Sequence, residues 1–446
     1  MEKIIEQKGY FGNKYIRMNG NNKYEVNVAG ITKEYNDITY MMVVSTYGRV
    51  YFETYKYLNG ELENETRSKR ELALRALKFL YSYIELFNTD LKHLDIRDKN
   101  RLITFLRGGQ GAGQYISYDL KTFRKNDTIN NYFGVYRSFC RYIGVTENIF
   151  NGTSGKKIIK GTENAFTSKA NSIEVQTYSM QLKEIESKIV PKYISYTEYL
   201  NIVKLIEDRY TIREKIIVKL MYEYGLRIGE VLGLTLEDVQ GEEITKQKDN
   251  YRLIIRNRFT DRSWQHAKSC LKVQSRNTYN REDYYENNNG FQIVYISLIT
   301  YNLIQEYIEE VTSPFTMSET AYNNYKEKNV ADKVSQINIE RNAYIFISKN
   351  YTPISGGGWN KIMKQIFQEV GLKIDKGKKR DNLNHRFRHG YAMFKVLNEG
   401  FDELKLAHVM RHSNTKSVSK YFNPTEEDLI DFAIKQDELT KRGLHL

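Results

Sequence analysis

His385-Arg-Phe-Arg388-His389, followed by Met410-Arg-His412-Ser-Asn-Thr and then by Tyr421, is the stretch on which the reading of this chain turns. On a helix, residues three apart project from one face towards one target, so His385 and Arg388 can reach a single phosphate. Tyr421 follows His412 by nine positions, enough for a loop and a short helix, Thr415 to Tyr421, to bring a phenol alongside the imidazole. Arg227 completes the set. Cleaving a phosphodiester without metal requires an activated nucleophile, neutralisation of charge growing on two non-bridging oxygens, and a proton for the leaving oxygen. Tyr421 is the candidate nucleophile, leaving a covalent phosphotyrosine that stores the energy of the broken bond. Arg227 and Arg388 suit the oxygens, because a guanidinium fork donates two parallel hydrogen bonds and keeps its charge. His385 titrates near neutral pH and can accept or return the tyrosine proton. His412 can donate to the phosphate, and Glu230 can hold a basic catalytic residue in place.

In this order the segments resemble the tyrosine recombinase (phage integrase) family. Its pattern is an arginine, a hairpin lysine, His-x-x-Arg, a second histidine or tryptophan, and a nucleophilic tyrosine. Tyr224-Gly-Leu-Arg227-Ile-Gly-Glu230-Val-Leu-Gly-Leu is similar to the segment around the first arginine, including the acidic residue three positions later. The His385 and His412 segments are similar to the later motifs, with Arg411 where a glycine is usual. Leu271-Lys272-Val-Gln-Ser-Arg276 resembles the hairpin-lysine segment, which makes Lys272 the general acid for the leaving 5′-oxygen and Lys268 its rival.

The resemblance covers about Pro191 to the C-terminus and, more weakly, Thr66 to about Val145. With the alternating pattern at the start and the polar, weakly periodic stretch before Pro191, it leads to the expectation of an α+β, mostly helical chain: a strand-rich N-terminal appendage (1–61), a helical core-type DNA-binding domain (62–150), a linker (151–189) and a mixed α/β-hairpin catalytic domain (190–446) whose C-terminal segment packs in trans. It further implies double-stranded DNA with paired half-sites as partner and a homotetramer on that DNA. Strand exchange through a Holliday junction, integrating or excising a mobile element without a cofactor, is the implied activity. A type IB topoisomerase shares this chemistry but acts as a monomer, and telomere resolution uses it to form hairpins. A DNA-binding protein with a degenerate site fits less well, because every chemical role has a residue.

Composition bounds the rest. With 446 residues the chain can bury a sizeable core in two or three domains. A net charge of +13 makes a polyanion the default partner, since clustered Lys and Arg gain from releasing condensed counterions. Cys140 and Cys270 cannot form a disulfide framework and lack metal-ligand spacing, as expected of a reducing cytoplasm. No apolar run reaches the roughly 20 residues of a membrane span, and Met-Glu-Lys-Ile-Ile-Glu is not a signal peptide.

Along the chain, Lys23–Val28, Ile38–Ser45 and Arg49–Tyr55 alternate apolar and polar residues and read as short strands. Thr66–Phe87, Arg97–Leu106 and Ile129–Ile143 carry helical stripes. The glycine-rich Gly108–Gly113 lacks the Lys-Ser/Thr ending of a phosphate-binding loop and reads as a connector. Ser195-Tyr-Thr-Glu198 is a capping box, and Gly225 stops a helix begun at Ile212. Leu253–Arg256 pairs with Gln292–Ser297 across a long polar insertion, and Tyr344–Ser348 reads as another strand. His385 and His389 have the i, i+4 spacing of a zinc pair, but position 386 is arginine where such a site carries glutamate. His389 is therefore assigned to supporting duty, and no metal is expected. Lys373, Lys376, Lys378, Lys379 and Arg380 form a basic run fit to contact the DNA backbone.

Overall fold

Alternation of apolar and polar side chains sends the start of the chain into strands that can bury one face only by packing on helices. The computed structural model describes residues 2–9, 12–35, 38–109, 115–145, 149–150, 152–159, 171–178, 182, 190–245, 248–256, 291–313, 317–331, 339–375, 383–412 and 415–423. The chain divides into two units, Met1–Glu186 and Ser187–Leu446.

In the first unit β1 (Glu2–Gly9), β2 (Gly12–Asn19) and β3 (Asn22–Val26) form an antiparallel meander. A later strand, β6 (Ile116–Asp119), joins it parallel to β1. β4 (Ala29–Tyr35) and β5 (Ile38–Val44) make a separate hairpin. Ile4, Tyr15, Val28, Met41 and Val43 from these strands are buried in the same cluster as Leu77, Leu80 and Tyr83 of α2 (Arg67–Phe87), Phe105 of α3 (Ile96–Leu106), and Phe133, Tyr136 and Phe139 of α4 (Asn126–Tyr142). Residues on both sides of position 61 thus share one core. Glu6, buried on β1, accepts the Lys121 and Thr122 backbone N–H groups at 2.7 and 2.8 Å and ties the sheet to the loop after β6.

One reading from periodicity is corrected here. Arg49–Tyr55 is not a strand: Val50 makes a single bridge to Val44, and Phe52–Lys56 is a short helix, α1, continuing into a wider turn at Tyr57–Glu61. Thr54, Tyr57 and Leu58 are the buried positions, a helical spacing that outweighs the local alternation. Residues 152–159 and 171–178, within the stretch taken as a linker, form β7 and β8 of an antiparallel hairpin in which Gly152 faces Tyr178.

The second unit begins with α5 (Tyr196–Arg209), closed at its start by the Ser195–Glu198 capping box, and α6 (Ile212–Glu223). A three-stranded antiparallel sheet follows, ordered β11–β10–β9, from β9 (Val239–Thr245), β10 (Lys248–Arg256) and β11 (Phe291–Tyr295). β10 pairs with β11 as read from the sequence, with Leu253 facing Val294. Buried Arg256 donates to Asp238 at 2.7 Å and pins the base of the insertion between β10 and β11. Tyr344–Ser348 makes only single bridges, Thr235 with Tyr344 and Ile347 with Pro353. The Asn329 side chain accepts the Tyr344 N–H at 3.2 Å and donates to its carbonyl at 3.0 Å, so a side chain takes both ladder positions, and Pro353 has no N–H to extend a ladder.

The remaining helices are α8 (Leu298–Thr312), α9 (Glu319–Lys328), α10 (Gly356–Glu369), α11 (His385–Leu397) and α12 (Glu403–Val409), after the single turn α7 (Ile228–Val231). Ile216, Leu220, Leu226, Trp359, Phe367 and Phe387 belong to the main core of this unit. Tyr391, Met393, Leu406, Ala407, Met410, Val418 and Tyr421 form a smaller cluster. Gly390 is needed on α11, because a Cβ there would lie 2.3 Å from the Ile194 carbonyl oxygen and 2.6 Å from the Tyr222 ring.

Candidate active site

Gly225, at φ +60°, ends α6 and turns the chain so that Arg227 becomes the N-cap of α7. Glu230, at the third position of that turn, accepts the Arg227 backbone N–H on Oε2 and its Nη1 on Oε1, both at 2.8 Å. One carboxylate thereby caps the helix and aims the guanidinium. Its side chain is fully buried, which favours the neutral form, yet the guanidiniums of Arg411, Arg388 and Arg227 outweigh burial and hold it below the ordinary carboxylate range.

Arg388 on α11 is buried and donates to the carbonyls of Gly225 and Met410, two loops far apart in sequence. Its Nη2 is also 3.0 Å from His412 Nε2, and Arg227 Nη2 lies 3.4 Å from the same nitrogen. Because guanidinium groups only donate, Nε2 is the acceptor, and the His412 proton sits on Nδ1, directed at the Ser417 hydroxyl. Burial, with the charges of Arg388 and Arg227, pushes His412 down to about 4. It is neutral at pH 7.

Tyr421 lies on a 3-10 turn, Ser419–Phe422, with its ring buried in the small cluster. Burial raises its hydroxyl to about 12 in spite of Arg388 and Arg227. The oxygen is 2.6 Å from His389 Nδ1. Burial, then Lys420, His385 and Arg388, press His389 down to about 3, so a neutral imidazole accepts the phenol proton. Burial raises the phenol and lowers the imidazole, so the proton stays on the tyrosine and His389 holds a protonated phenol. The sequence reading gave His385 the tyrosine proton; the structure puts the neighbouring His389 on the phenol, with His385 exposed and its ring 6.1 Å from that of His389. Lys420 Nζ sits 5.2 Å from the Tyr421 ring centre.

Arg227, Glu230, Arg388 and His412 are thus joined by direct contacts, and so are His389 and Tyr421, whose hydroxyl feels the charges of Arg388 and Arg227. Lys373 is exposed; its carbonyl accepts from Arg386 at 2.9 Å, and Asp375, 2.9 Å from the same guanidinium, anchors the start of the basic run. Lys376, Lys378, Lys379, Arg380, Lys268, Lys272 and the C-terminal segment fall outside the described residues. Arg411, noticed in sequence only as a departure, donates to Glu230 Oε2 at 2.8 Å. Its place directly before His412 was the available signal.

Residues 293–428 match the model of the phage integrase family, a span that contains His385, Arg388, His412 and Tyr421. That part of the chain is similar to the family. Among curated relatives, transposase A from transposon Tn554 of Staphylococcus aureus is 28% identical over 171 residues, 36% of this chain. The match spans 44% of that transposase. Among solved structures, the Tn1549 transposon integrase in complex with circular intermediate DNA aligns at 12% identity and a TM-score of 0.46, covering 85% of this chain and 98% of that one. The XerH site-specific recombinase bound to palindromic difH substrate aligns at 13% identity and 0.46, covering 86% and 92%. Among the described residues no helix is long and apolar enough to cross a membrane.

Proposed function

We propose that this protein is a site-specific DNA recombinase of a mobile element, working on duplex DNA with paired half-sites as a homotetramer. One observation carries the reading: a buried tyrosine hydroxyl held by His389 shares one site with two guanidiniums converging on one imidazole. The kinship with a transposon's transposase supports the mobile-element role.

In the proposed reaction the Tyr421 oxygen attacks the scissile phosphorus as the bond to the 5′-oxygen breaks, giving a 3′-phosphotyrosine and a free 5′-hydroxyl. Arg227 and Arg388 take the two non-bridging oxygens. The bound phosphate's negative charge raises the proton affinity of His389 and His412, so that one accepts the phenol proton and the other donates to the phosphate. Lys272, with Lys268 second in line, protonates the 5′-oxygen; an ammonium beside two guanidiniums has its pKa lowered and gives up its proton readily. Attack by the 5′-hydroxyl of a partner strand reverses the chemistry and, done twice, passes through a Holliday junction.

A nicked suicide duplex tests this. Wild-type protein should form a denaturation-resistant adduct, and Tyr421→Phe should bind the DNA and form none. An adduct with the phenylalanine variant would show that another residue is the nucleophile. Lys272→Ala should cleave roughly 100-fold slower on ordinary DNA and recover on DNA with sulfur at the 5′-bridging position, where a thiolate leaves unaided. Failure to recover would move the test to Lys268→Ala.

A further inference from the structure

α12 ends in a double-turn cap: Arg411 N–H donates to the His408 carbonyl and His412 N–H to the Ala407 carbonyl, both at 2.9 Å, with Arg411 at φ +56°. Glycine suits that left-handed position, and a side chain there is strained. The turn that presents His412 is formed nonetheless, so what the arginine adds must lie in its side chain.

That side chain is nearly buried, and its Nη2 meets Glu230 Oε2 at 2.8 Å. The same carboxylate binds Arg227 at 2.8 Å and has Arg388 Nη1 at 4.0 Å. One negative charge therefore faces three positive ones. Without Arg411, Glu230 offsets half the charge of the two arginines proposed to hold the phosphate, leaving a net single positive charge. The phosphorane formed on attack carries two negative charges, so the third guanidinium restores the match.

We propose that Arg411 is the counter-ion of Glu230, a positioning residue that lets Glu230 orient Arg227 while Arg227 and Arg388 keep their full charge for the scissile phosphate. The proposal rests on the recombinase reading for its substrate, and on the Glu230 contacts for its mechanism.

Three variants separate charge from shape. Arg411→Lys keeps the charge; Arg411→Gln keeps a hydrogen-bond donor of similar reach without it; Arg411→Gly removes both and relaxes the backbone. Each is measured by single-turnover cleavage of the suicide duplex, by gel-shift affinity for the same DNA, and by calorimetric binding of orthovanadate, which mimics the phosphorane and needs no reaction. The lysine variant should stay within about 5-fold of wild type, whereas the glutamine and glycine variants should cleave roughly 50-fold slower or worse at unchanged DNA affinity and bind vanadate about 10-fold more weakly. Thermal melts confirm that each is folded. Wild-type behaviour of Arg411→Gln or Arg411→Gly, a lysine variant as impaired as glutamine, or no vanadate binding by the wild type would each overturn the proposal. If the vanadate ranking holds while wild-type protein forms no DNA adduct, the recombinase reading fails and the counter-ion role stands.

Discussion

Arg70 in the first unit and Arg388 in the second are each only 3% exposed, and each donates to two main-chain carbonyls. Arg70 binds the carbonyls of Leu58 and Thr39 and the side chain of Asn59, joining α2 to the turn and hairpin beside it. Arg388 binds Gly225 and Met410 in the same manner, but its other partners are an imidazole and a carboxylate already shared with two more arginines. Burial with carbonyl anchoring is therefore a structural device in both places. What marks the second as a site is crowding of like charge, which stability alone does not favour.

The largest expected effect bears on the first unit as a single structural body. A chain begun at position 62 loses Ile4, Tyr15, Val28, Met41 and Val43 from the core. At about 1.5–3 kcal/mol for each large apolar side chain, the loss matches the whole stability of a typical domain. Helices α2 to α4 should then lose protection from amide hydrogen exchange, and preserved protection would show that the strands are dispensable. Next, Arg70→Ala and Arg388→Ala should each destabilise by roughly 3–5 kcal/mol in denaturant melts, because each orphans buried carbonyls. Only Arg388→Ala should slow cleavage per folded molecule, by about 100-fold or more. A tenfold slowing by Arg70→Ala would erase the distinction between the two.

Acid should separate the units more gently. His389 and His412 titrate near 6.5 when unfolded and at about 3 and about 4 in the folded unit. Between those limits the unfolded chain binds more protons, so their contribution is complete above about pH 6.5 and declines as pH falls towards 4. Allowing for solvent around half-buried His412, a loss of about 1–3 kcal/mol is expected. Calorimetry from pH 7 to 4.5 should show the second unit's transition dropping first, and a first unit that drops as fast would contradict the assignment. The smallest effect is Ser417→Ala, which frees His412 Nδ1 and should cost about 1 kcal/mol, read as up to a tenfold slower cleavage at unchanged DNA binding.

Much of this was legible because it is local. Capping at Ser195, the glycine stop at 225, the helical stripes from Thr66 to Ile143 and the pairing of β10 with β11 depend on neighbours in sequence or on simple alternation. β1 and β2 escaped notice because few of their residues are buried, Ile4, Glu6, Tyr15 and Ile16 among long polar side chains, and one of the four is a carboxylate. Their place depends on β6, more than a hundred residues away, and on backbone groups at Lys121 and Thr122. The Tyr344 segment carries a strand's composition, and only the distant Asn329 side chain takes its ladder positions.

The sequence by itself determined which residue types the site contains and in what order, since arginine, histidine and tyrosine at those spacings have few other joint uses. It also determined the caps and turns that present them, which are short-range hydrogen-bond chemistry. Only the tertiary structure decided that His389 and not His385 meets the phenol. The two lie four positions apart on α11, and the choice depends on where a separate 3-10 turn sets Tyr421. Only the tertiary structure, likewise, brought Arg227, Arg388 and Arg411 onto one buried carboxylate. Charges from three stretches of chain can be held together only where the fold shields them from water and supplies the carbonyls and carboxylate that satisfy them.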